Sequence, residues 1–164
     1  MQTVLANEAK YDISPAELKK GSIFGALSDS GIQYLLDNGV IHQVGMGEEI
    51  FSYGSKGNSF HAVLHGNLDF YKQHGDKQTR TRTIKFGEAI AFVSMIALHE
   101  RVGSLHANED SLLLEISSQL FSDFHDDYPF DFGILLMNLS RDMARTIRVL
   151  SNALVENDVI VKRN

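Results

Sequence analysis

The side chains of this sequence that could do chemistry are few: one arginine in a stretch of small and apolar residues, a pair of histidines, and a short basic run. Arg101 stands in FGEAIAFVSMIALHERVGSLHA, residues 86 to 107, and a guanidinium offers a planar fork of N–H donors suited to phosphate or carboxylate. In KQTRTRTIK, Arg80 and Arg82 fall on one face of an extended strand and Thr79, Thr81 and Thr83 on the other. A small anion or partner patch fits that pattern, and so does a charged hairpin edge that repels further strands. His61 and His65 share a strand face in SFHAVLHG, but the spacing has no glutamate in register, so no metal site is expected and no haem ligand stands out. Catalytic signatures are missing: there is no G-x-S-x-G, no P-loop, no H-E-x-x-H and no cysteine. Asp126 and Asp127 are adjacent, and adjacent helix residues do not face one another. No enzyme is expected, and no catalytic residue.

The elements that would position these groups are mostly strands. From Val44 to Lys72, short runs alternate apolar and polar residues and are punctuated by Gly47, Gly54 and Gly66, the pattern of an antiparallel sandwich or roll. SLLLEIS, Ser111 to Ser117, reads as one further core strand. In combination, the glycine framework and residues 86 to 107 resemble the cyclic nucleotide-binding domain family. The resemblance covers about residues 20 to 156 and implies a mainly β fold with flanking helices: an antiparallel β-roll of jelly-roll type followed by a long C-terminal helix.

The same resemblance assigns roles along the phosphate-binding cassette. The family's Gly-Glu falls on Ala91 and Phe92, its Ala-Leu on Ser94 and Met95, and its arginine on Arg101. The implied ligand-contacting positions are Ala91, Phe92, Val93, Ser94, Arg101, Val102 and Gly103. The arginine that neutralises a cyclic phosphate is retained, whereas the glutamate that accepts the ribose hydroxyl is replaced by Phe92. A hydrogen bond to a charged group contributes roughly 1.5–3 kcal/mol, so this loss alone weakens binding by about ten- to a hundredfold. A Phe92 ring pointing inward would also fill the ribose volume, and Ala91 adds a Cβ where glycine allows unusual φ and ψ. The expectation is a regulatory, signalling module with a degenerate cassette that binds cAMP or cGMP weakly or not at all and acts through a protein partner. The alternative is a sensor that holds a cyclic nucleotide or another small phosphate in an altered pose on Arg101.

Helices frame the sheet. Ser28 is placed to cap a helix carrying Ile32, Leu35 and Leu36, with Gly39 as its stop. Ser117 or Ser118 can cap a short helix bearing Leu120, Phe121 and Phe124, and Pro129 suits the first turn of the long final helix. In that helix Leu136, Met143, Ile147, Leu150 and Leu154 follow a/d spacing, while Arg141, Arg145 and Arg148 take the opposite face. The run LSRDMARTIRVLSN resembles the dimer helix of catabolite-activator-type regulators, which implies a homodimer seam. It also implies a base-facing hydroxyl pair at Leu150 and Ser151, of which only Ser151 is polar. Packing of the seam on the protein's own roll is the competing reading.

Composition narrows the remaining choices. The chain has 164 residues, a net charge of −6 and 43% apolar residues, ordinary for one globular domain. The acidic balance, together with a short end VIVKRN after the long helix, points away from direct nucleic-acid binding. No stretch suits a membrane span or signal peptide, so a cytoplasmic location is expected. The expected organisation is an N-terminal segment 1–19, a domain 20–156 and a tail 157–164.

Overall fold

The structure, a computed structural model, describes residues 1–160; residues 161–164 of the expected tail lie outside the described residues. In chain order the elements are β1 (Gln2–Val4), α1 (Pro15–Leu18), α2 (Asp29–Asn38), β2 (Val40–Val44), β3 (Glu49–Phe51), β4 (Ser59–His65), β5 (Asn67–His74), β6 (Lys77–Lys85), β7 (Ala89–Ile90), α3 (Phe92–Ile96), β8 (Gly103–Ala107), β9 (Ser111–Ser117), α4 (Ser118–Asp127) and α5 (Pro129–Glu156). The strands form two antiparallel sheets, one ordered β1-β2-β9-β4-β7 and the other β3-β8-β5-β6. The result is a mainly β roll with flanking helices.

Two apolar clusters hold the roll. Val44, Val63, Leu68, Ile84, Leu105, Ala107 and Leu113 meet between the sheets. Phe60, Ala62, Leu112, Leu114 and Ile116 face the other way, onto Ile32, Leu35, Phe124, Leu135 and Leu139 of the helices. β9 is therefore covered on both faces, which explains its unbroken apolar run LLL where a half-exposed strand would alternate.

The helix boundaries follow local chemistry. The Ser28 hydroxyl accepts from the Gly31 amide and the Ser117 hydroxyl from the Leu120 amide, each satisfying an orphan donor of a first turn. Pro129 opens α5. Residues 1–19, set apart in the sequence reading, are in fact integrated: β1 pairs with β2, and Ile13 and Leu18 are buried in the main core. The boundary at residue 20 has no structural counterpart because these side chains complete that core. Among the described residues no helix is long and apolar enough to cross a membrane.

Polar residues fasten α5 to the roll. Asp131 accepts from the Ser28 amide at 2.8 Å, Asn138 donates to the carbonyls of Ile23 and Gly25 at 3.1 and 2.8 Å, and Asp142 receives Arg82 of β6 at 3.1 Å. All three are buried.

Candidate functional site

The segment leading to Arg101 keeps an unusual backbone. Ala91 caps α3 with φ 73° and ψ 4°, a left-handed conformation that costs an L-residue about 1 kcal/mol and glycine almost nothing. The turn thus carries a Cβ in a conformation that glycine takes more readily. Phe92 does not fill a ligand volume, contrary to one reading of the sequence. It is 4% exposed and packs edge-on against Phe60 and Phe121, with ring centroids 5.5 and 5.7 Å apart. The helices α4 and α5 offer an aromatic bed on that side, and burial there is worth about 2 kcal/mol or more.

A cavity of about 520 Å³ lies between this segment, the four-stranded sheet and α5, a size typical of small-ligand sites. Ala91, Val93, Ser94, Arg101 and Val102 line it. Gly103 does not line it but opens strand β8 within the four-stranded sheet, where a Cβ would come 2.3 Å from the Tyr71 carbonyl oxygen. Ser151 is exposed and outside the lining; α5 presents Asp142, Arg145, Thr146, Val149 and Leu150 instead. The hydroxyl on this wall is that of Thr146, which lies one turn earlier than the position the dimer-helix alignment indicated.

Arg101 is 3% exposed, yet no carboxylate lies within ion-pair distance of it among the described residues. It donates to the Ala91 carbonyl at 3.3 Å and to the Ser59 hydroxyl at 3.1 Å, and its guanidinium lies 4.6 Å from the centroid of the Phe51 ring. Its Nε has no partner. Burial pushes the guanidinium below its ordinary value, opposed by the charge of Glu115. The carboxylates that line the cavity are directed elsewhere: Asp142 binds Arg82 at 3.1 Å and Arg145 at 3.6 Å, and Glu88 lies 3.8 Å from Arg82.

Arg80 and Arg82 do not share a face. A bulge between Phe70 and Tyr71 shifts the register, pairing Phe70 with Arg82 and Tyr71 with Arg80. Arg82 consequently reaches α5, while Arg80 meets Asp69 at 3.1 Å. β6 is an edge strand, yet Arg82 belongs to the cavity wall, a role that strict strand alternation could not have revealed.

The described α5 seam also divides. Met143 packs on the core, whereas Leu136, Ile147 and Leu150 are 38%, 63% and 52% exposed; Leu154 is half-buried. The reading that the whole seam packs on its own roll does not hold for those three side chains.

The sequence profile described as "Cyclic nucleotide-binding domain" matches residues 41–128, a little over half of the chain. This chain belongs to the cyclic nucleotide-binding domain family. No curated protein matches it significantly in sequence. Its fold is similar to that of the catabolite activator protein of Thermus thermophilus, with a TM-score of 0.71 at 22% identity over 84% of this chain and 63% of that one. It is similar as well to a cyclic nucleotide-binding domain from Methylobacillus flagellatus, with a TM-score of 0.76 at 16% identity over 92% and 84% of the two chains. A third structure with this fold is the regulatory subunit of a cAMP-independent protein kinase A from Trypanosoma cruzi bound to guanosine, with a TM-score of 0.68 at 16% identity over 87% and 49%. The chain thus spans less than two thirds of the Thermus protein. Cyclic nucleotide-binding domains are regulatory modules.

A second polar group lies inside this cyclic nucleotide-binding domain. His42, His61 and Glu115 stand on neighbouring strands β2, β4 and β9, in the same strand parity as Val44, Val63 and Leu113, and so face the space between the sheets. His61 is not joined by His65, whose exposed ring stacks on Tyr11 at 3.6 Å. A glutamate is in register after all, since Glu115 is the direct cross-strand partner of His61. His42 Nε2 and Glu115 Oε2 are 2.8 Å apart. That hydrogen bond, with help from Ser59, holds the Glu115 carboxyl at about 2, and burial pushes the His61 imidazole down to about 4 despite the neighbouring Glu115 charge.

Proposed function

We propose that this chain is a regulatory binding module that holds a small phosphate-bearing ligand on Arg101, and that cAMP and cGMP bind it only weakly. The observation that carries the reading is a buried guanidinium, without a carboxylate in reach, in the wall of a 520 Å³ cavity. A buried charge left unpaired is costly, and an anionic ligand would remove that cost. The left-handed Ala91 supports the same reading, because it preserves the turn that leads into α3. With Phe92 directed into the core and the lining carboxylates facing Arg82, no free acceptor stands ready for a ribose hydroxyl. A change of ligand within this fold has a precedent in the Trypanosoma cruzi subunit bound to guanosine. No catalytic role is proposed.

A second copy of the chain along α5 is the partner we favour. Leu136, Ile147 and Leu150 are exposed on one helix at heptad-like spacing, and Leu150 also lines the cavity. A two-fold seam there would close the ligand site and connect its occupancy to the dimer.

Calorimetry on the full chain tests the ligand reading. cAMP and cGMP are expected to bind no tighter than about 100 μM. At least one compound among pyrophosphate, nucleoside monophosphates and other cyclic nucleotides is expected to bind more tightly, with Arg101→Ala abolishing that binding. Low-micromolar binding of cAMP would refute the missing-acceptor argument, and equal binding by Arg101→Ala would refute the anchor.

A further inference from the structure

We propose that His42, His61 and Glu115 form a binding site for a divalent transition-metal ion, made of residues that do not line the phosphate cavity. One nitrogen or carboxylate oxygen from each residue lies within 4.8 Å of those of the other two. Glu115 Oε2 is 2.8 Å from His42 Nε2 and 4.0 Å from His61 Nε2. In a tetrahedral site with bonds of about 2.0–2.2 Å, ligand atoms stand roughly 3.3 Å apart. The two distances bracket that value and the His42 and His61 ligand atoms lie within 4.8 Å of each other, so modest side-chain shifts would bring both nitrogens and the oxygen onto one ion.

His61 is the decisive residue. It is 4% exposed, and neither of its ring nitrogens makes a hydrogen bond among the described residues. Buried imidazoles nearly always find a partner, because an orphaned polar group costs about 1–3 kcal/mol. His42 is buried too, and its Nδ1 is also without a partner. The His42–Glu115 hydrogen bond leaves His61 Nε2, 4.0 Å from Glu115 Oε2, without a partner, and a bound cation would use that lone pair; the two unpartnered Nδ1 atoms are the other nitrogens of the same rings.

The ligand set selects the class of ion. Two imidazoles and one carboxylate suit zinc, cobalt(II), nickel or iron(II) and do not suit calcium or magnesium, which take oxygen ligands. Three protein ligands leave further coordination positions for water or a small molecule, and the Glu115 side chain, 31% exposed, marks the route to solvent. The ligands rest on three adjacent strands, a platform more rigid than a loop. The positive charge of Arg101, which acts on both His61 and Glu115, opposes a dication and weakens its binding.

Chelator-stripped full-length protein titrated with cobalt(II) chloride tests the site. The expected result is one equivalent of cobalt giving the visible absorption of a low-coordinate centre, displaced by zinc chloride. Glu115→Gln is expected to weaken binding by about tenfold or more. Because that change could disturb the fold, the wild type supplies a second readout. Cobalt should broaden the ring protons of His42 and His61 before those of the exposed His65, His74, His99 and His125. Broadening of the exposed histidines first, absence of a stoichiometric site, or undiminished binding by folded Glu115→Gln would each overturn the proposal.

Discussion

Gly21 and Gly87 touch backbone to backbone. A Cβ built on Gly87 would lie 2.1 Å from the Gly21 Cα, and one built on Gly21 would lie 2.4 Å from the Gly87 Cα. Gly87 also takes φ +73°. The Ile23 amide and the Ser22 hydroxyl both donate to the Gly87 carbonyl at 3.0 Å. This contact fastens the segment before α2 to the stretch that leads through β7 into the cavity wall. Gly87→Ala is expected to destabilise by about 3 kcal/mol or more, combining steric displacement with left-handed strain. Gly133→Ala on α5, where nothing lies within 4 Å, should stabilise by about 0.5–1 kcal/mol. Urea unfolding of the two variants checks the contrast.

Position 92 gives a prediction opposite to the simplest repair of the cassette. Phe92→Glu places a carboxylate against Phe60 and Phe121, so it should lose about 3–5 kcal/mol of stability instead of restoring nucleotide affinity. Ala91→Gly relieves φ 73° and should raise stability by up to about 1 kcal/mol. Thermal unfolding together with cAMP calorimetry separates the two effects.

Arg101 should trade stability against binding. Arg101→Met removes a buried charge with no carboxylate at ion-pair distance, so stability is expected to stay level or rise by about 1 kcal/mol, with anion binding lost. A loss of several kcal/mol would mean that the bonds to Ser59 and the Ala91 carbonyl outweigh the burial of charge.

Acid sensitivity follows from the inter-sheet pair. With chelator present, the depressed His61 value means that the unfolded chain binds more protons between its ordinary value near 6.5 and about 4. Stability from this group is complete above pH 6.5 and is lost as pH falls toward 4, by an amount on the order of 3 kcal/mol. Glu115, held at about 2, adds a further loss as pH falls from about 4.5 toward 2. Chemical denaturation at pH 7.5 and 5.0 should show the first step, reduced in His61→Phe.

The α5 seam predicts a clean separation of assembly from folding. Ile147 and Leu150 are exposed in the single chain, so Ile147→Glu should leave a folded roll while splitting a dimer. Sedimentation of the wild type as a monomer at tens of micromolar would remove the seam.

What the amino-acid sequence determined by itself was local in origin. Glycine punctuation and alternating apolar residues carried the antiparallel roll, and the Ser28 and Ser117 caps, the Gly39 stop and Pro129 marked helix ends to within a residue. These signals depend on φ, ψ and hydrogen bonds among near neighbours. Arg101 and residues 91, 93 and 94, which line one cavity, could be picked out for the same reason, since they lie within one short segment. Where the side chains went depended on long-range packing. Phe92 turned into the core because Phe60 and Phe121 wait there, and a bulge at Phe70–Tyr71 turned Arg82 toward α5 and Arg80 away. Asp131, Asn138 and Asp142 are polar residues of α5 that are buried because each meets a partner at least 60 residues away in sequence. His42, His61 and Glu115 converge only when β9 pairs with both β2 and β4. Such convergence is a property of strand register, which long-range hydrogen bonding sets and residue spacing alone does not encode.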